Sequence, residues 1–264
     1  GVGGYSSFPV LTYAQTKNIP TFIHESNSFA GKSNKLLGKK ATKIFVASDG
    51  MDKFFPKEKI QITGNPVRRN ILQQNISRTE AIHFFGLDPN KKTVFATGGS
   101  LGAKGINEAL HANIDEFRKN DVQLIWQTGK TFVETATAVA VENKNIWVNS
   151  FIAQMEYAYA AADVVISRSG AMSIAELCVV KKPVVFVPYP FAAEDHQTVN
   201  AQNLVSKGAG IMVKDSEAKE KLVSTVIALA KDETKQEELK QNIGRLAVTD
   251  ADEVIASAVL KAIA

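Results

Sequence analysis

Cysteine is nearly absent from this chain: Cys178 stands alone among 264 residues. A disulfide within the chain is therefore impossible, and a reducing, cytoplasmic setting is expected. Histidine is scarce as well, with four scattered copies, so no metal cluster can be assembled from His and Cys, and no cofactor or metal is expected. No run of 18 apolar residues occurs, which excludes a helix that spans a bilayer. Neither a secretory signal, a repeat of solenoid length nor a low-complexity tract is visible. An initiating methionine is also missing. Gly1-Val2-Gly3-Gly4-Tyr5 looks like a strand-to-helix turn without its strand, and a fragment of a longer protein is expected. Charge of one sign is barely in excess, 31 Lys and Arg against 27 Asp and Glu for a net +4. That balance suits an anionic ligand or membrane surface and gives no signature of nucleic-acid binding.

What is present is ordinary globular material, 45% hydrophobic and 22% charged, enough for one large or two modest domains. A first series of elements is short. A helix follows the opening turn through about Lys17, strands are predicted at Thr21 to His24, Lys43 to Val46 and Ile60 to Thr63, and a basic helix at Asn34 to Lys40. Gly64-Asn65-Pro66-Val67-Arg68 breaks the pattern, and Ile71 to Ser77 reads as polar and irregular, so a domain boundary is placed there.

A second series is more regular. Strands are predicted at Thr93 to Thr97, Gln123 to Trp126, Ile146 to Val148, Val164 to Ile166, Val184 to Val187 and Gly210 to Val213. Helices separate them at Ile106 to Phe117, Thr131 to Val141, Gln154 to Ala161, Ala171 to Val180 and Val199 to Lys207. Such alternation gives a parallel sheet covered on both faces. Helices at about 217–230, 233–246 and 252–263 complete the chain.

The stretch from Ser167 to Ala201 organises the rest. In a parallel α/β sheet the loops after the strands gather at the carboxyl edge, where ligands bind. A helix start after Gly170 offers free N–H groups to a phosphate. Glu176 on the same helix can accept bonds from a ribose diol, and Gln197 and Asn200 can both donate and accept, which suits sugar hydroxyls. Equally, these are loops that end strands and cap helices.

Other residues stay open in the same way. Gly98-Gly99-Ser100-Leu101-Gly102-Ala103 is either a phosphate cradle or a tight turn, and its spacing fits neither the dinucleotide fingerprint nor a Walker loop. Arg68 is a diphosphate clamp or a solvated arginine, and Asn27 a helix cap or a sugar ligand. His24 and Glu25 are neighbours at a strand end with diverging side chains, and His196 could equally be a supporting residue. Asp250 and Asp252 read as capping residues of the last helix rather than metal ligands. Phe54 and Phe55, with Lys53 and Lys57 beside them, are buried packing or a membrane-touching patch.

Six motifs occur in order: Gly3-Gly4-Tyr5, His24-Glu25-Ser26-Asn27, Gly64-Asn65-Pro66-Val67-Arg68, Gly98 to Ala103, Ser167-Arg168-Ser169-Gly170-Ala171 and Asp195-His196-Gln197-Thr198-Val199-Asn200-Ala201. Together they closely resemble the MurG family of peptidoglycan N-acetylglucosaminyltransferases, glycosyltransferase family 28, across essentially the whole chain. The resemblance implies a GT-B architecture, two Rossmann-like domains with parallel sheets and a cleft between them. Residues 1–68 would be the remainder of an incomplete N-terminal acceptor domain, with 250–264 packing back on it, and 69–249 the donor domain.

The reaction implied is inverting transfer of N-acetylglucosamine from UDP-N-acetylglucosamine to the C4 hydroxyl of a muramyl-pentapeptide on undecaprenyl diphosphate. By the same resemblance the donor site comprises Asn27, Arg68, Ser100, Ile152, Ala171, Met172, Ser173, Ile174, Ala175, Glu176 and Gln197, with Asn200 joining Gln197 on the hexose. Ile152 would hold uracil by backbone contacts, Glu176 the ribose, and Ser100 with Arg68 the diphosphate. The family's proposed general base should precede Gly1, so no catalytic base is named, and His24 and Glu25 are left supporting roles. A peripheral place on the cytoplasmic face of the bacterial plasma membrane is implied, with an anionic membrane surface and a cell-wall synthesis or division complex as partners. The alternatives are another GT-B UDP-sugar enzyme, such as an epimerase, or a UDP-sugar-binding fragment without activity.

Overall fold

Side chains along the strands alternate between two faces, and that alternation places most of the core. The computed structural model describes residues 1–73, 75–141 and 143–263. Its first unit contains α1 (Gly4–Thr16), β1 (Phe22–Glu25), α2 (Lys32–Gly38), β2 (Lys43–Val46) and β3 (Ile60–Ile62). The strands form a parallel sheet of order β1-β2-β3, with Ile23 beside Ile44 and Ile44 beside Ile60. Ile23, Leu37, Ile44, Val46, Met51 and Phe55 pack together as its core. On the other side of β1 the ladder is continued by Gly1, whose carbonyl accepts from the His24 N–H at 2.8 Å and whose amino group donates to the Phe22 carbonyl at 2.7 Å. No residue of α1 is buried, and Tyr5 is fully exposed.

The second unit follows as α3 (Arg69–Leu72), α4 (Arg78–Phe84), β4 (Lys92–Thr97), α5 (Lys104–Ala112), α6 (Ile114–Lys119), β5 (Val122–Gln127), α7 (Val133–Ala140), β6 (Ile146–Asn149), α8 (Met155–Ala161), β7 (Val164–Ser167), α9 (Ala171–Val180), β8 (Val184–Phe186), α10 (His196–Val205), β9 (Ile211–Met212), α11 (Ala218–Lys231), α12 (Glu233–Gly244) and α13 (Ala251–Ile263). Its sheet is parallel throughout, in the order β6-β5-β4-β7-β8-β9. Strand order reverses between β4 and β7, the switch point at which doubly wound sheets open a ligand crevice. Val94, Ala96, Leu124, Trp126, Val164 and Ile166 face α5 and α11 on one side. Phe95, Ile125, Val165, Val184 and Phe186 point the other way, into the layer that also holds Ala158, Leu177 and Leu204. Burial on both faces accounts for strands that read as apolar runs.

Two chain segments connect the units, around Gly64 and around Val248. They touch: Gly64 has φ +72°, and a Cβ there would lie 2.7 Å from the Val248 Cβ. After this crossing α13 lies along the first unit, where Asp250, Glu253 and Val254 share a groove with Thr42, Lys43 and Gln61. Of the segment 250–264, Ala264 lies outside the described residues.

The structure departs from the sequence reading at several places. The stretch 71–77, of which Gln74 is outside the described residues, is not wholly irregular, since Ile71 belongs to α3 and is buried. Directly after it comes α4, an element the sequence reading lacks. Ser77 caps it, its side chain accepting from the Glu80 N–H. The predicted helix 106–117 is two helices, because Asn113 turns its side-chain amide onto the carbonyls of Ala109 and Lys219, both at 2.9 Å, in place of continuing the ladder. α10 starts three residues before Val199, after Glu194 and Asp195 turn the chain with φ of +55° and +52°. Phe55 is core, 3% exposed beneath α2, where a Cβ on Gly38 would meet its ring at 2.7 Å. Phe54 is half-buried and packs edge-on against Phe29, with Lys35 over both rings and Lys53 over Phe54.

Candidate functional site

Two strand-to-helix loops flank the switch point. After β4, the chain turns through Gly98 to Ala103 into α5. Gly102 has φ +79°, and a Cβ there would stand 2.0 Å from the Thr128 carbonyl oxygen. Only glycine fits, because both the backbone conformation and the close approach exclude a side chain. Ser100 is exposed at the tip of this loop. After β7, Arg168, Ser169 and Gly170 lead into α9. Neither α5 nor α9 has a side-chain cap, and the first intrahelical bond of α9 runs from the Ile174 N–H to the Gly170 carbonyl. The amides of Ala171, Met172 and Ser173 therefore remain open donors at the positive end of the helix, suited to an anion.

Gln127, which the sequence reading did not single out, and Arg168, which it named only within a motif, hold these loops in place. Gln127, at the end of β5 and buried, donates to Thr97 Oγ1 at 3.1 Å and to the Gly99 carbonyl at 3.0 Å, and accepts from the Ile152 N–H at 2.9 Å. It thus ties the glycine loop to the segment assigned to uracil, and it occupies the Ile152 N–H, leaving the carbonyl of Ile152 for other contacts. Arg168 is buried, donates to the carbonyls of Val187 and Pro188 and to Asp215 Oδ1, and stacks on Tyr189. A polar residue directly after the apolar run Leu124-Ile125-Trp126 was the available signal for Gln127.

Glu176 and Arg68 meet each other. Arg68 Nε and Nη2 reach Glu176 Oε1 at 3.0 and 2.9 Å, while the Tyr159 hydroxyl donates to Oε2 at 3.1 Å. Burial first, then the Glu176 charge, pushes the Tyr159 hydroxyl well above its ordinary range, so it stays a donor. Arg68 comes from the connection between the units and is about half-exposed, whereas Glu176 is buried.

Gln197 lies at the first turn of α10. Its Oε1 accepts from the Tyr189 N–H at 3.0 Å and its carbonyl from Ser169 Oγ at 2.8 Å. Its Nε2 donates to none of the described residues. Asn200 behaves differently from the sugar-binding residue the sequence suggested. It is 2% exposed, its Oδ1 accepts from the Ser28 N–H at 2.8 Å, and its Nδ2 donates to Asn27 Oδ1 and the Ser169 carbonyl at 3.1 and 3.2 Å. Its oxygen and one of its donors thus join the two units through Ser28 and Asn27, and its other donor holds the loop after β7. Met172 is exposed, while Ser173, Ile174 and Ala175 are half-buried along α9.

His24 and Glu25 are buried. His24 Nε2 bonds the Gly64 carbonyl at 2.9 Å and Nδ1 the Ser26 hydroxyl at 3.2 Å, which makes Nε2 the protonated nitrogen. The Glu25 carboxylate accepts from the N–H groups of Asn27 and Gly31 and from the side chains of Asn27 and Asn34. Glu25 therefore shapes the loop that presents Asn27, and Asn27 in turn meets Asn200. His196 Nδ1 faces the Ala193 carbonyl, a local turn contact. Among the described residues no group of three or more His, Cys, Asp and Glu could hold a metal ion.

Residues 93–255 fit the glycosyltransferase family 28 C-terminal domain and residues 1–46 its N-terminal domain. A Bacteroides fragilis protein named UDP-N-acetylglucosamine--N-acetylmuramyl-(pentapeptide) pyrophosphoryl-undecaprenol N-acetylglucosamine transferase is 52% identical over 99% of this chain and 70% of its own length. A Phocaeicola vulgatus protein of the same name is 50% identical over the same shares. The crystal structure of Acinetobacter baumannii MurG superposes with a TM-score of 0.80 at 28% identity, covering 99% of this chain and 72% of that one. A Neisseria meningitidis UDP-GlcNAc 2-epimerase, at a TM-score of 0.66 and 13% identity, shares the fold alone. With two parallel sheets facing a common crevice, and half of its residues identical to those of these transferases, the chain belongs to glycosyltransferase family 28 and has its GT-B fold.

Proposed function

We propose that this chain transfers N-acetylglucosamine from UDP-N-acetylglucosamine to the C4 hydroxyl of the muramyl sugar of undecaprenyl-diphosphate-linked muramyl-pentapeptide, the lipid I to lipid II step, with inversion at the anomeric carbon. The observation that carries this reading is identity of about half over nearly the whole chain with relatives named for that reaction.

The donor's diphosphate lies against the open amides of Ala171, Met172 and Ser173, with Ser100 at its side. Its ribose takes Glu176, its uracil the backbone at Ile152, and its hexose the free Nε2 of Gln197. A ribose that takes Glu176 releases Arg68 from the ion pair, and the freed guanidinium can turn to the diphosphate. As the acceptor oxygen bonds the anomeric carbon, the bond to the diphosphate oxygen breaks and negative charge grows on UDP. The helix-start amides, already in place, and the Arg68 guanidinium, once turned to the diphosphate, stabilise that charge. The acceptor's proton is not assigned to His24 or Glu25, whose polar atoms are committed to placing the Asn27 loop.

We place the protein peripherally on the cytoplasmic face of the plasma membrane. Support comes from the cluster of Phe29, Phe54, Lys35 and Lys53, and no helix among the described residues is long and apolar enough to cross a membrane.

Calorimetry with UDP and UDP-N-acetylglucosamine tests the donor site. Gln197→Ala should weaken binding of the sugar nucleotide by about 1 kcal/mol, roughly fivefold, and leave UDP unchanged. Equal losses for both ligands would remove Gln197 from the hexose. No UDP binding at all, together with no turnover of a soluble lipid I analogue, would overturn the functional reading.

A further inference from the structure

Gln127 ends β5, and its register neighbours lead to both ends of the donor site. On one side it pairs with Thr97, the last residue of β4, from which the chain enters the glycine loop. On the other it pairs with Asn149, the last residue of β6, from which the chain reaches Phe151 and Ile152. Gln127 is buried, and both of its N–H groups and its oxygen are engaged. The partners fix which way the amide faces. The Gly99 carbonyl can only accept, so the nitrogen faces it, and the Ile152 N–H can only donate, so the oxygen faces that. Thr97 Oγ1, which takes the other N–H of Gln127, also accepts from the Gly99 N–H at 3.2 Å. A ring of bonds thus closes around the start of the loop.

Each backbone group held by Gln127 has a counterpart in its own peptide unit. A trans peptide is planar, with its C=O and N–H pointing in opposite directions. A Gly99 carbonyl held against Gln127 therefore turns the Ser100 N–H away from that buried amide. An Ile152 N–H held there turns the Phe151 carbonyl away in the same manner. Among the described residues, the Ser100 N–H donates to no group and the Phe151 carbonyl accepts from none. Both residues are exposed.

We propose that Gln127 is a positioning residue for the donor nucleotide, presenting the Ser100 N–H to the diphosphate and the Phe151 carbonyl to the N3–H of uracil. This role rests on the donor site proposed above, and it gives that site its base selectivity. Uracil offers a hydrogen at N3, whereas cytosine offers a lone pair there and sets two acceptors against each other. Without the Gln127 oxygen, the peptide between Phe151 and Ile152 is free to turn over and offer its N–H, which suits cytosine.

Calorimetry with UDP and CDP on the whole chain, Gln127→Met and Gln127→Glu is the test. The unaltered chain should bind UDP at least about tenfold more tightly than CDP, the effect of one mismatched acceptor. Methionine matches the length of glutamine and makes none of the three bonds. Gln127→Met should weaken UDP about tenfold and bring the two nucleotides within roughly threefold of each other. A purely structural loss would weaken both alike and leave their ratio where it was. Gln127→Glu keeps an oxygen for the Ile152 N–H, but its carboxylate has no hydrogen for the Gly99 carbonyl. It should retain the preference for UDP while binding UDP about tenfold more weakly. Relative to the unaltered chain, that affinity should recover as the pH falls, because a protonated carboxyl supplies the hydrogen again. Should either variant fail to fold, the other decides. An unchanged ratio in Gln127→Met, a lost ratio or no recovery in Gln127→Glu, or an unaltered chain indifferent between UDP and CDP would overturn the role of Gln127 and leave the donor site standing. A chain that binds neither nucleotide would overturn both.

Discussion

Lys182 sits in the turn between α9 and β8 with its Nζ on the Ala162 carbonyl at 2.7 Å. Burial outweighs the nearby Asp163 charge and lowers its ammonium to about 8. The unfolded chain holds that proton up to about 10.5, so between these two values the folded state binds fewer protons and gains stability as pH rises. At neutral pH the charged form is a burden, which Lys182→Met removes. The variant should be more stable at pH 7 by roughly 1–3 kcal/mol, and urea titrations should show that advantage shrinking from pH 8 to 10.5. A constant difference across that range would contradict the assignment. At this same scale, the sequence shows that Gln197 can donate and accept but not that its Oε1 is taken by the Tyr189 N–H. The role of Asn200 was not legible, because sequence gives its type and spacing but not the facing loop at Ser28, 172 positions away, that takes up its bonds.

Among the elements, the loop from β4 to α5 depends on a residue with no side chain. Gly102→Ala would press a methyl group into the Thr128 carbonyl at a left-handed backbone position, and a loss of about 2–4 kcal/mol is expected. The measurement is thermal unfolding, with UDP affinity falling in parallel. Full stability in that variant would show that the loop relaxes freely. Strands of the second unit were readable from their apolar runs because both faces are buried. α4 escaped notice although Ser77 and Glu80 carry the spacing of a capping box, since its polar surroundings hide the buried Ala81 and Ile82. Asn113 divides a helix for a reason that lies in α11: its amide reaches the Lys219 carbonyl, a partner no local pattern contains.

At the scale of the molecule, Phe54 and Phe55 part company. Phe55 belongs to the core, so its replacement by serine reports on folding and says nothing about membranes. Phe54→Ser with Lys35→Ser tests the surface instead. If the proposed membrane face is right, binding to vesicles containing anionic lipid should drop about tenfold or more, with the melting temperature changed only modestly. Unchanged binding would place the membrane contact elsewhere. Cys178 offers a companion measure of the gap between the units. Burial pushes its thiol up to about 12, so a maleimide at pH 8 should label it slowly, and labelling should accelerate in Asn200→Ala if the bridge to Ser28 holds the gap shut.

The touching segments at Gly64 and Val248 bear on how such a gap can widen. The Gly64 backbone resting on the Val248 side chain makes a pivot, so opening is a rotation about that point rather than a sliding of one half past the other. Displacement then grows with distance from the pivot, and the glycine loop at Ser100 swings further than Asn65, which stays almost still. A methyl group added at position 64 would jam the bearing, slowing the exchange of nucleotide without touching a single atom that contacts it.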